Sequence, residues 1–296
     1  MMGIMKLINK CTVAITLPLV ALMSFANTDN FKALEQQYGG QLAISAIDTS
    51  NDQAVDYHAD KHMPMCSTFK LMLVAAILKK SANEPKLLEK KIEYTQKDMV
   101  NAYSPYTQKN LGKGMTVSAL CHAAMLSDNT AANLLLKQLG GLDKLNQFAR
   151  SIGDTTFRLD RHEPYPNTAI PGDKRDTTTA KAMSKSLDKI VLGNVLPAMQ
   201  RDLLIKWMQT NTTGDKRIKA GVNKSWIVGD KTGTGDYGTT NDIGVIWPNK
   251  CKPIVISVFY TQDKQDAKAQ DVVIQKATNL AMAELGKTNS CLDQTV

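Results

Sequence analysis

The stretch Met65-Cys66-Ser67-Thr68-Phe69-Lys70 runs directly into the apolar segment Leu71-Met72-Leu73-Val74-Ala75-Ala76-Ile77-Leu78, which predicts a helix. Ser67 stands at the start of this helix, and Lys70 follows three residues later, so both side chains lie on one face. Backbone N–H groups at a helix start lack internal partners, which favours negative charge near Ser67. Lys70 is therefore placed to act as a base that activates the Ser67 hydroxyl as a nucleophile.

Taken alone, this Ser-x-x-Lys spacing is a weak signal. Ser186-Leu187-Asp188-Lys189 has the same spacing with no other supporting feature. Serine is also a common N-cap, and a cap is the more frequent role for a serine in front of a helix. A catalytic role for Ser67 therefore depends on residues further along the chain.

Residues 1–26 are predicted to be a secretory signal peptide. Lys6 and Lys10 give a positive start, Cys11 to Phe25 form a short apolar core, and Ser24-Phe25-Ala26 fits a cleavage site before Asn27. Removing the two lysines lowers the formal charge from +8 to +6. No later run is apolar enough to span a membrane. We expect a protein secreted to the periplasm, without a membrane anchor.

Composition excludes several classes of function. The basic residues are dispersed and aromatic residues make up only 6% of the chain, so no nucleic-acid-binding surface is expected. The few histidines, with His58 and His62 four residues apart, give no metal cluster, and neither a metal nor a cofactor is predicted. The four cysteines after the signal permit two disulfides but leave the pairing open: Cys66, Cys121, Cys251 and Cys291.

Strand patterns at both ends of the chain flank a helical middle. Gln41 to Asp48 and Gln53 to His58 predict two paired strands, and three more strands are predicted after Gly221. The fold class is α/β (α+β), an antiparallel sheet built from both termini, flanked by helices and carrying an inserted helical lobe. The predicted domains are a sheet domain of residues 27–62 and 212–296 and a helical domain of residues 63–211. Residues 158–178 interrupt the helices with three prolines and no periodicity, which predicts a functional loop.

Three further motifs follow Ser67 in chain order. Ser127-Asp128-Asn129 lies between two predicted helices, Arg161-His162-Glu163-Pro164-Tyr165-Pro166-Asn167 lies in the irregular loop, and Lys231-Thr232-Gly233 lies on a predicted strand. Each tripeptide alone would occur by chance in other chains. In this order and these contexts, the set resembles the class A serine β-lactamases, and the resemblance covers nearly all of the chain after the signal.

The resemblance implies a role for each matching residue. Ser67 would be the nucleophile, Lys70 a base, and Ser127, beside Lys231, the relay of a proton to the β-lactam nitrogen. The N–H groups of Ser67 and Thr234 would form the oxyanion hole. Asp128 would hold its loop together through backbone donors. The remaining residues would contact the substrate: Tyr103, Asn129, Asn167, Lys231, Thr232, Gly233 and Thr234.

Glu163 distinguishes a hydrolase from a transpeptidase. Hydrolysis of the acyl-enzyme needs a second base, and Glu163 with Asn167 resembles the family pair that holds the attacking water. A lone glutamate in a loop is ordinarily a solvated side chain. The resemblance also implies an ion pair between Arg161 and Asp176 that clamps the loop, and a cis peptide before Pro164. Whether Lys70 or Glu163 acts as the base in acylation stays open.

Substrate preference is argued from a few positions. Cys66 and the run Asp236 to Asp242 resemble cefotaxime-hydrolysing enzymes, whereas Asn211 to Gly214 and Arg217 resemble serine carbapenemases. The carbapenemase disulfide would join Cys66 to position 235, which is glycine here, so the Cys66 thiol is expected to be free. Arg217 is predicted to bind the substrate carboxylate, with Lys268 as the weaker candidate and a solvated surface arginine as the ordinary alternative.

Two other functions stay open at this stage. A transpeptidase or carboxypeptidase shares most of the motifs but should lack Glu163 with Asn167. A non-catalytic β-lactam sensor would be acylated and would hold its ligand. The favoured function is hydrolysis of small-molecule β-lactams, penicillins and cephalosporins, by a monomeric enzyme.

Overall fold

This computed structural model describes residues 28–292. The predicted signal peptide, with its cleavage site, lies outside the described residues. Within them, no helix combines the length and the apolar character needed to cross a bilayer.

The described chain alternates helices and strands in the order expected for a sheet built from both termini. The helices are α1 Thr28–Tyr38, α2 Phe69–Ser81, α3 Pro105–Lys109, α4 Val117–Met125, α5 Asn129–Leu139, α6 Leu142–Ser151, α7 Ala180–Leu187, α8 Ala198–Gln209 and α9 Asp271–Gly286. The strands are β1 Gln41–Asp48, β2 Gln53–Tyr57, β3 His62–Pro64, β4 Lys91–Ile92, β5 Met115–Thr116, β6 Thr177–Thr179, β7 Ile227–Thr234, β8 Thr240–Trp247 and β9 Ile254–Thr261.

The central sheet has five antiparallel strands in the order β2-β1-β9-β8-β7. The N-terminal strand β1 pairs along its whole length with the C-terminal strand β9, from Gln41 opposite Thr261 to Asp48 opposite Ile254. The predicted sheet and its flanking helices are therefore confirmed. β7 carries the Lys-Thr-Gly motif, as predicted, and ends at Thr234.

Each face of the sheet is covered by helices. Leu42 and Ile44 face a core formed with α1 and α9, whereas Ala43, between them, faces the core of the helical lobe. This alternation follows from the two-residue period of a strand. Because both faces are covered, β8 and β9 are buried along almost their whole length, and the sequence of β9 is a nearly continuous apolar run.

Helix α2 lies at the centre of the helical lobe. Eleven of its thirteen residues are buried, and it packs against α4, α5, α6 and α8. A helix that is apolar on all sides is stable only where other elements surround it. The lobe also contains two short ribbons that the sequence did not predict, β3 with β6 and β4 with β5. The β3–β6 ribbon anchors the end of the 158–178 loop beside Met65.

One disulfide joins Cys251, after β8, to Cys291, after α9, with a Cα–Cα separation of 5.9 Å. Cys66 and Cys121 are free and buried, so the prediction of a free Cys66 thiol is confirmed. Burial raises the pKa of both thiols well above the usual value.

Candidate active site

The predicted motifs meet at the boundary between the helical lobe and the sheet. Residues Cys66–Thr68 form one turn of 3-10 helix that leads into α2, with Cys66 in a left-handed conformation (φ +46°). β7 packs directly on this turn: a Cβ on Gly233 would lie only 2.6 Å from Met65 O. Only glycine therefore allows β7 to approach so closely.

Ser67 is not a helix cap. Thr68 occupies the cap position of α2, and the Ser67 hydroxyl instead accepts a hydrogen bond from Lys70 Nζ at 2.8 Å. The backbone N–H groups at this helix start were expected to lack partners. For Thr68 this is wrong, because its N–H donates to Met65 O in the 3-10 turn. The serine and lysine three residues apart do meet, as the helical spacing predicts.

Lys70 is the centre of the buried polar cluster, and its side chain has no exposed surface. Its Nζ donates to Ser67 Oγ at 2.8 Å, to Asn129 Oδ1 at 2.5 Å and to the main-chain oxygen of Ser127 at 3.0 Å. It also lies 2.8 Å from Glu163 Oε1. That contact is an ion pair without good hydrogen-bond angles, because Oε1 has no donor of suitable geometry within residues 28–292.

The Ser127-Asp128-Asn129 motif turns the chain from α4 into α5. Ser127 has a left-handed backbone (φ +73°), and its hydroxyl accepts from Lys231 Nζ at 2.6 Å. Asp128 caps α5 through the Ala131 N–H and also accepts from the N–H and hydroxyl groups of Thr107. The buried Asp128 carboxylate therefore ties Thr107 to the start of α5.

Lys231 projects from β7 between the two lobes and is completely buried. Burial, together with the ammonium group of Lys70, lowers the pKa of Lys231 to about 7. Asp230 and Asp242 oppose this change. A lysine that titrates near neutrality can either bind an anion or take part in proton transfer.

Glu163 is held over α2 by its own loop and by α5. Asn167 Nδ2 donates to Glu163 Oε2 at 2.6 Å, and the Glu163–Pro164 peptide is cis, as predicted. Asn133 binds the Glu163 main chain twice, since its Nδ2 donates to the oxygen and its Oδ1 accepts from the N–H, both at 3.0 Å. Sequence reasoning missed Asn133, although it lies four residues after Asn129 on the same helix face.

The clamp at the base of the loop is present. Arg161 Nε lies 2.5 Å from Asp176 Oδ2, and Asp176 Oδ1 accepts from the N–H groups of Asp160 and Arg161. Asp176 is 1% exposed. The clamp therefore joins the two ends of the loop through a largely buried group.

Arg217 is not a surface arginine, because it is only 6% exposed and its guanidinium group points into the sheet. Nε pairs with Asp271 Oδ1 at 2.7 Å, and Nη2 donates to the Thr234 hydroxyl at 2.8 Å. Nη1 donates to the main-chain oxygens of Gly233 and Asn241. Arg217 is thus next to the Lys-Thr-Gly strand, whereas Lys268 is exposed. The sequence did not indicate Asp271 as the partner of Arg217.

The remaining predicted substrate-binding residues differ in how exposed they are. Thr234 is exposed at the end of β7, and Thr232 contacts Thr213 through their hydroxyl groups at 2.6 Å. Tyr103 is 57% exposed, and its main-chain oxygen accepts from the Asn129 N–H.

Within the described residues no group of three or more histidine, cysteine or acidic side chains could hold a metal ion.

Comparisons with known proteins identify the family of the chain. A model of the β-lactamase enzyme family matches residues 27–285, and the chain belongs to that family. It is a β-lactamase, a hydrolase whose action on β-lactams confers resistance to them.

Several curated relatives are about half identical to this chain. A β-lactamase of Proteus vulgaris is 49% identical over 89% of this chain and 99% of its own length. The β-lactamase OXY-1 of Klebsiella oxytoca is 50% identical over 83% of this chain and 85% of its own. The β-lactamase CTX-M-97 of Escherichia coli is 47% identical over 91% of this chain and 94% of its own length. Among solved structures, a β-lactamase from Desulfarculus baarsii superposes with a TM-score of 0.86 at 48% identity, over 88% of this chain and 97% of that one.

Proposed function

We propose that the protein hydrolyses penicillins and cephalosporins through a covalent acyl-enzyme on Ser67. The observation that carries this proposal is the position of Lys70, whose Nζ lies 2.8 Å from both Ser67 Oγ and Glu163 Oε1 in a buried cluster. A serine hydroxyl becomes nucleophilic only when a neighbouring base can take its proton. Here Lys70 contacts Ser67, and Glu163, a second candidate base, contacts Lys70.

In acylation, Ser67 Oγ attacks the carbonyl carbon of the ring, the C–N bond breaks, and the nitrogen receives a proton. The Ser67 proton goes to Lys70 directly or towards Glu163, which Lys70 contacts. Ser127, bound to Lys231, gives the proton to the leaving nitrogen. The N–H groups of Ser67 and Thr234 stabilise the oxyanion.

In deacylation, Glu163 removes a proton from water, the oxygen attacks the acyl ester, and the Ser67 hydroxyl is released. Glu163 Oε1 and Asn167 Oδ1 support this role, because both are buried and neither accepts a hydrogen bond of suitable geometry within the described chain, Lys70 Nζ being only an ion-pair neighbour of Oε1. Both atoms can therefore accept from the attacking water. This pair is also what argues against a transpeptidase or a sensor domain, which would stay acylated.

The substrate carboxylate is bound by Lys231, the hydroxyl groups of Thr232 and Thr234, and the guanidinium group of Arg217. The acylamide side chain contacts Asn129, Asn167 and Tyr103. Asn129 Oδ1 is occupied by Lys70, so its amide N–H group is the part that faces the substrate.

Substrate range is proposed from the turn after β7. A Cβ on Gly235 would lie 2.5 Å from Asn167 O and 2.7 Å from Cys66 Sγ, so the turn is pressed against the 158–178 loop. With no disulfide between positions 66 and 235, and with Asp236 beside them, we expect hydrolysis of cefotaxime-like compounds and weak hydrolysis of carbapenems.

We further propose export to the periplasm as a monomer, with the sheet domain of residues 27–62 and 212–296 and the helical domain of residues 63–211. The Cys251–Cys291 disulfide supports an oxidising compartment, and the two buried cores support the division. N-terminal sequencing of the mature protein, expected to begin at Asn27, and its mass in solution test these points.

The decisive experiment measures turnover of a chromogenic cephalosporin by the purified protein and by Ser67→Ala. We expect steady turnover by the wild type and a loss of roughly 10³-fold or more in the variant. Ser186→Ala is the matched control, because Ser186 has the same spacing to a lysine but binds Asp154 far from the site. Its activity per folded molecule should be unchanged. A single burst without turnover by the wild type would instead indicate a sensor or a transpeptidase.

A further inference from the structure

Two buried carboxyl groups lie side by side in the sheet behind the substrate site. Asp230 is on β7 and Asp242 on β8, and they are 1% and 0% exposed. In the β7–β8 register Asp230 pairs with Gly244, so Asp242 is its diagonal neighbour on the same face. The two side chains are therefore neighbours on one face of the sheet.

The partners of the pair leave one position unfilled. Asp230 Oδ2 accepts from Asn211 Nδ2 at 2.8 Å, and Asp242 Oδ2 accepts from the Ile218 N–H at 3.1 Å. Asp242 Oδ1 is buried and has no donor within residues 28–292. Two ionised carboxylates buried side by side would repel each other, whereas a proton held between them removes the repulsion and gives Asp242 Oδ1 a partner.

Three cations lie near this pair. Lys231 follows Asp230 on β7, and Arg217 and Lys219 approach from the segment that precedes β7. Burial raises the pKa of Asp230 to about 6, and burial and the neighbouring Asp230 raise the pKa of Asp242 well above its usual value. Asp242 Oδ1 is the carboxyl oxygen without a donor, whereas Asp230 accepts from the Asn211 amide, so the proton is placed on Asp242.

We propose that Asp230 and Asp242 hold one proton between them, which Asp242 donates to Asp230, and that Asp242 is a positioning residue for Arg217. The link is direct in the chain, because Asp242 Oδ2 binds the N–H of Ile218, the residue after Arg217. Fixing that N–H sets the guanidinium group against Thr234. The proposal rests on the proposed function only in giving Arg217 the substrate carboxylate as its ligand.

A shared proton fixes the charge of the pair at −1, which partly neutralises the cations Lys231 and Arg217. Asp242→Asn keeps that charge on Asp230. The amide introduced at position 242 can donate to Asp230 and accept from the Ile218 N–H. Asp230→Asn keeps the charge on Asp242. Only the double variant removes the charge. If both carboxyl groups were ionised, each single variant would already change the local charge by one.

The proton itself is tested by infrared spectroscopy, which separates a protonated carboxyl from a carboxylate by its carbonyl stretching band and needs no activity. We expect the wild type at pH 7 to show a protonated-carboxyl band that Asp242→Asn lacks. Asp154→Asn is the matched control, because Asp154 is also buried but accepts from two backbone N–H groups and the Ser186 hydroxyl. It should leave the band unchanged. A wild-type spectrum without the band, or a band that survives in Asp242→Asn, would overturn the shared proton.

The positioning role is tested by kcat/KM for a β-lactam with a free carboxylate and for its ester. Asp242→Leu removes both the donor and the acceptor, and we expect a loss of about 10-fold or more for the acid and a smaller loss for the ester. In Asp242→Asn, kcat/KM for the acid should stay within about threefold of the wild-type value. In the double amide variant, kcat/KM for the acid should fall about 10-fold. Equal losses in the Asn and Leu variants would overturn the role.

Two results keep this test separate from the proposed function. If Asp242→Leu does not fold, the comparison of the single and double amide variants decides the question. If Arg217→Ala itself does not distinguish acid from ester, the assignment of Arg217 fails, while the infrared result still decides the proton.

Discussion

Lys70 Nζ and Glu163 Oε1 are 2.8 Å apart where neither side chain is exposed to solvent. A buried ion pair that loses one partner leaves an uncompensated charge, which commonly costs about 3–5 kcal/mol of stability. Variants at either position therefore combine a functional change with a structural one. Isosteric changes such as Glu163→Gln are the informative ones, because they keep the hydrogen bonds of the neighbouring groups.

The loop clamp predicts a selective loss of stability. Arg161→Ser leaves Asp176, which is 1% exposed, without its cation, and we expect unfolding to become easier by about 3 kcal/mol, with a lower Tm and slower penicillin turnover. Arg175→Ser is the control, because Arg175 forms an exposed ion pair with Asp173 in the same loop. Thermal unfolding of both variants checks this. Equal Tm values for Arg161→Ser and the control would reject the clamp.

Arg217 is predicted to act on the substrate carboxylate. Losing a charge-assisted hydrogen bond of about 1.5–3 kcal/mol should lower kcat/KM of Arg217→Ala roughly 10- to 100-fold for a free acid. The loss should be smaller for the ester. Lys219→Ala removes a surface cation that pairs with Asp215 and serves as the control. Steady-state kinetics on both substrates test whether Arg217 binds the carboxylate. Equal losses of kcat/KM for acid and ester would show that it does not.

Lys231 predicts a pH dependence specific to carboxylate binding. Its pKa is about 7 in the folded protein against a usual value of 10.5, so the free enzyme loses this cation as the pH rises through 7. We expect kcat/KM for the acid to fall on the alkaline side while that for the ester changes less. Between pH 7 and 10 the unfolded chain binds more protons at this residue, so this group alone makes the unfolding free energy rise with pH. Superimposable pH profiles for acid and ester would contradict the assignment.

The described cysteines form one disulfide and leave two free thiols, which alkylation can test. Alkylation under denaturing, non-reducing conditions should label Cys66 and Cys121 and leave Cys251 and Cys291 unlabelled. Replacing Cys251 with serine should lower stability by about 2–4 kcal/mol, because a bridge across 40 residues restricts the unfolded chain. Activity should change little, since Cys251 packs against the core formed with α1 and α9 and not in the helical lobe. Peptide mapping that finds Cys66 in a disulfide would refute the pairing.

The sequence predicted those parts of the site that depend on short spacings or on a recognisable motif. Ser67 and Lys70 meet because three residues make nearly one helical turn, and the sheet follows from the apolar strand patterns at both ends. Arg161 with Asp176 was implied by the resemblance and not by spacing. These groups lie where they were expected.

The missed groups depend on contacts between distant segments. Asp271 meets Arg217 across 54 residues, and Asp242 reaches Asp230 only through the β7–β8 register, which local patterns do not specify. β3 has three residues, too few to show a strand period. The Cys251–Cys291 bridge could not be chosen among the possible pairings, because cysteine counts do not determine connectivity.

The central claim is that Glu163 is needed chiefly to release the acyl group from Ser67. The most direct measurement is intact-mass spectrometry of Glu163→Gln after brief exposure to a penicillin, with peptide mapping of the adduct. We expect one adduct on Ser67 that persists, and a burst followed by little turnover, while the wild type shows no lasting adduct. Rapid loss of the adduct in Glu163→Gln, or an adduct on another residue, would contradict the account.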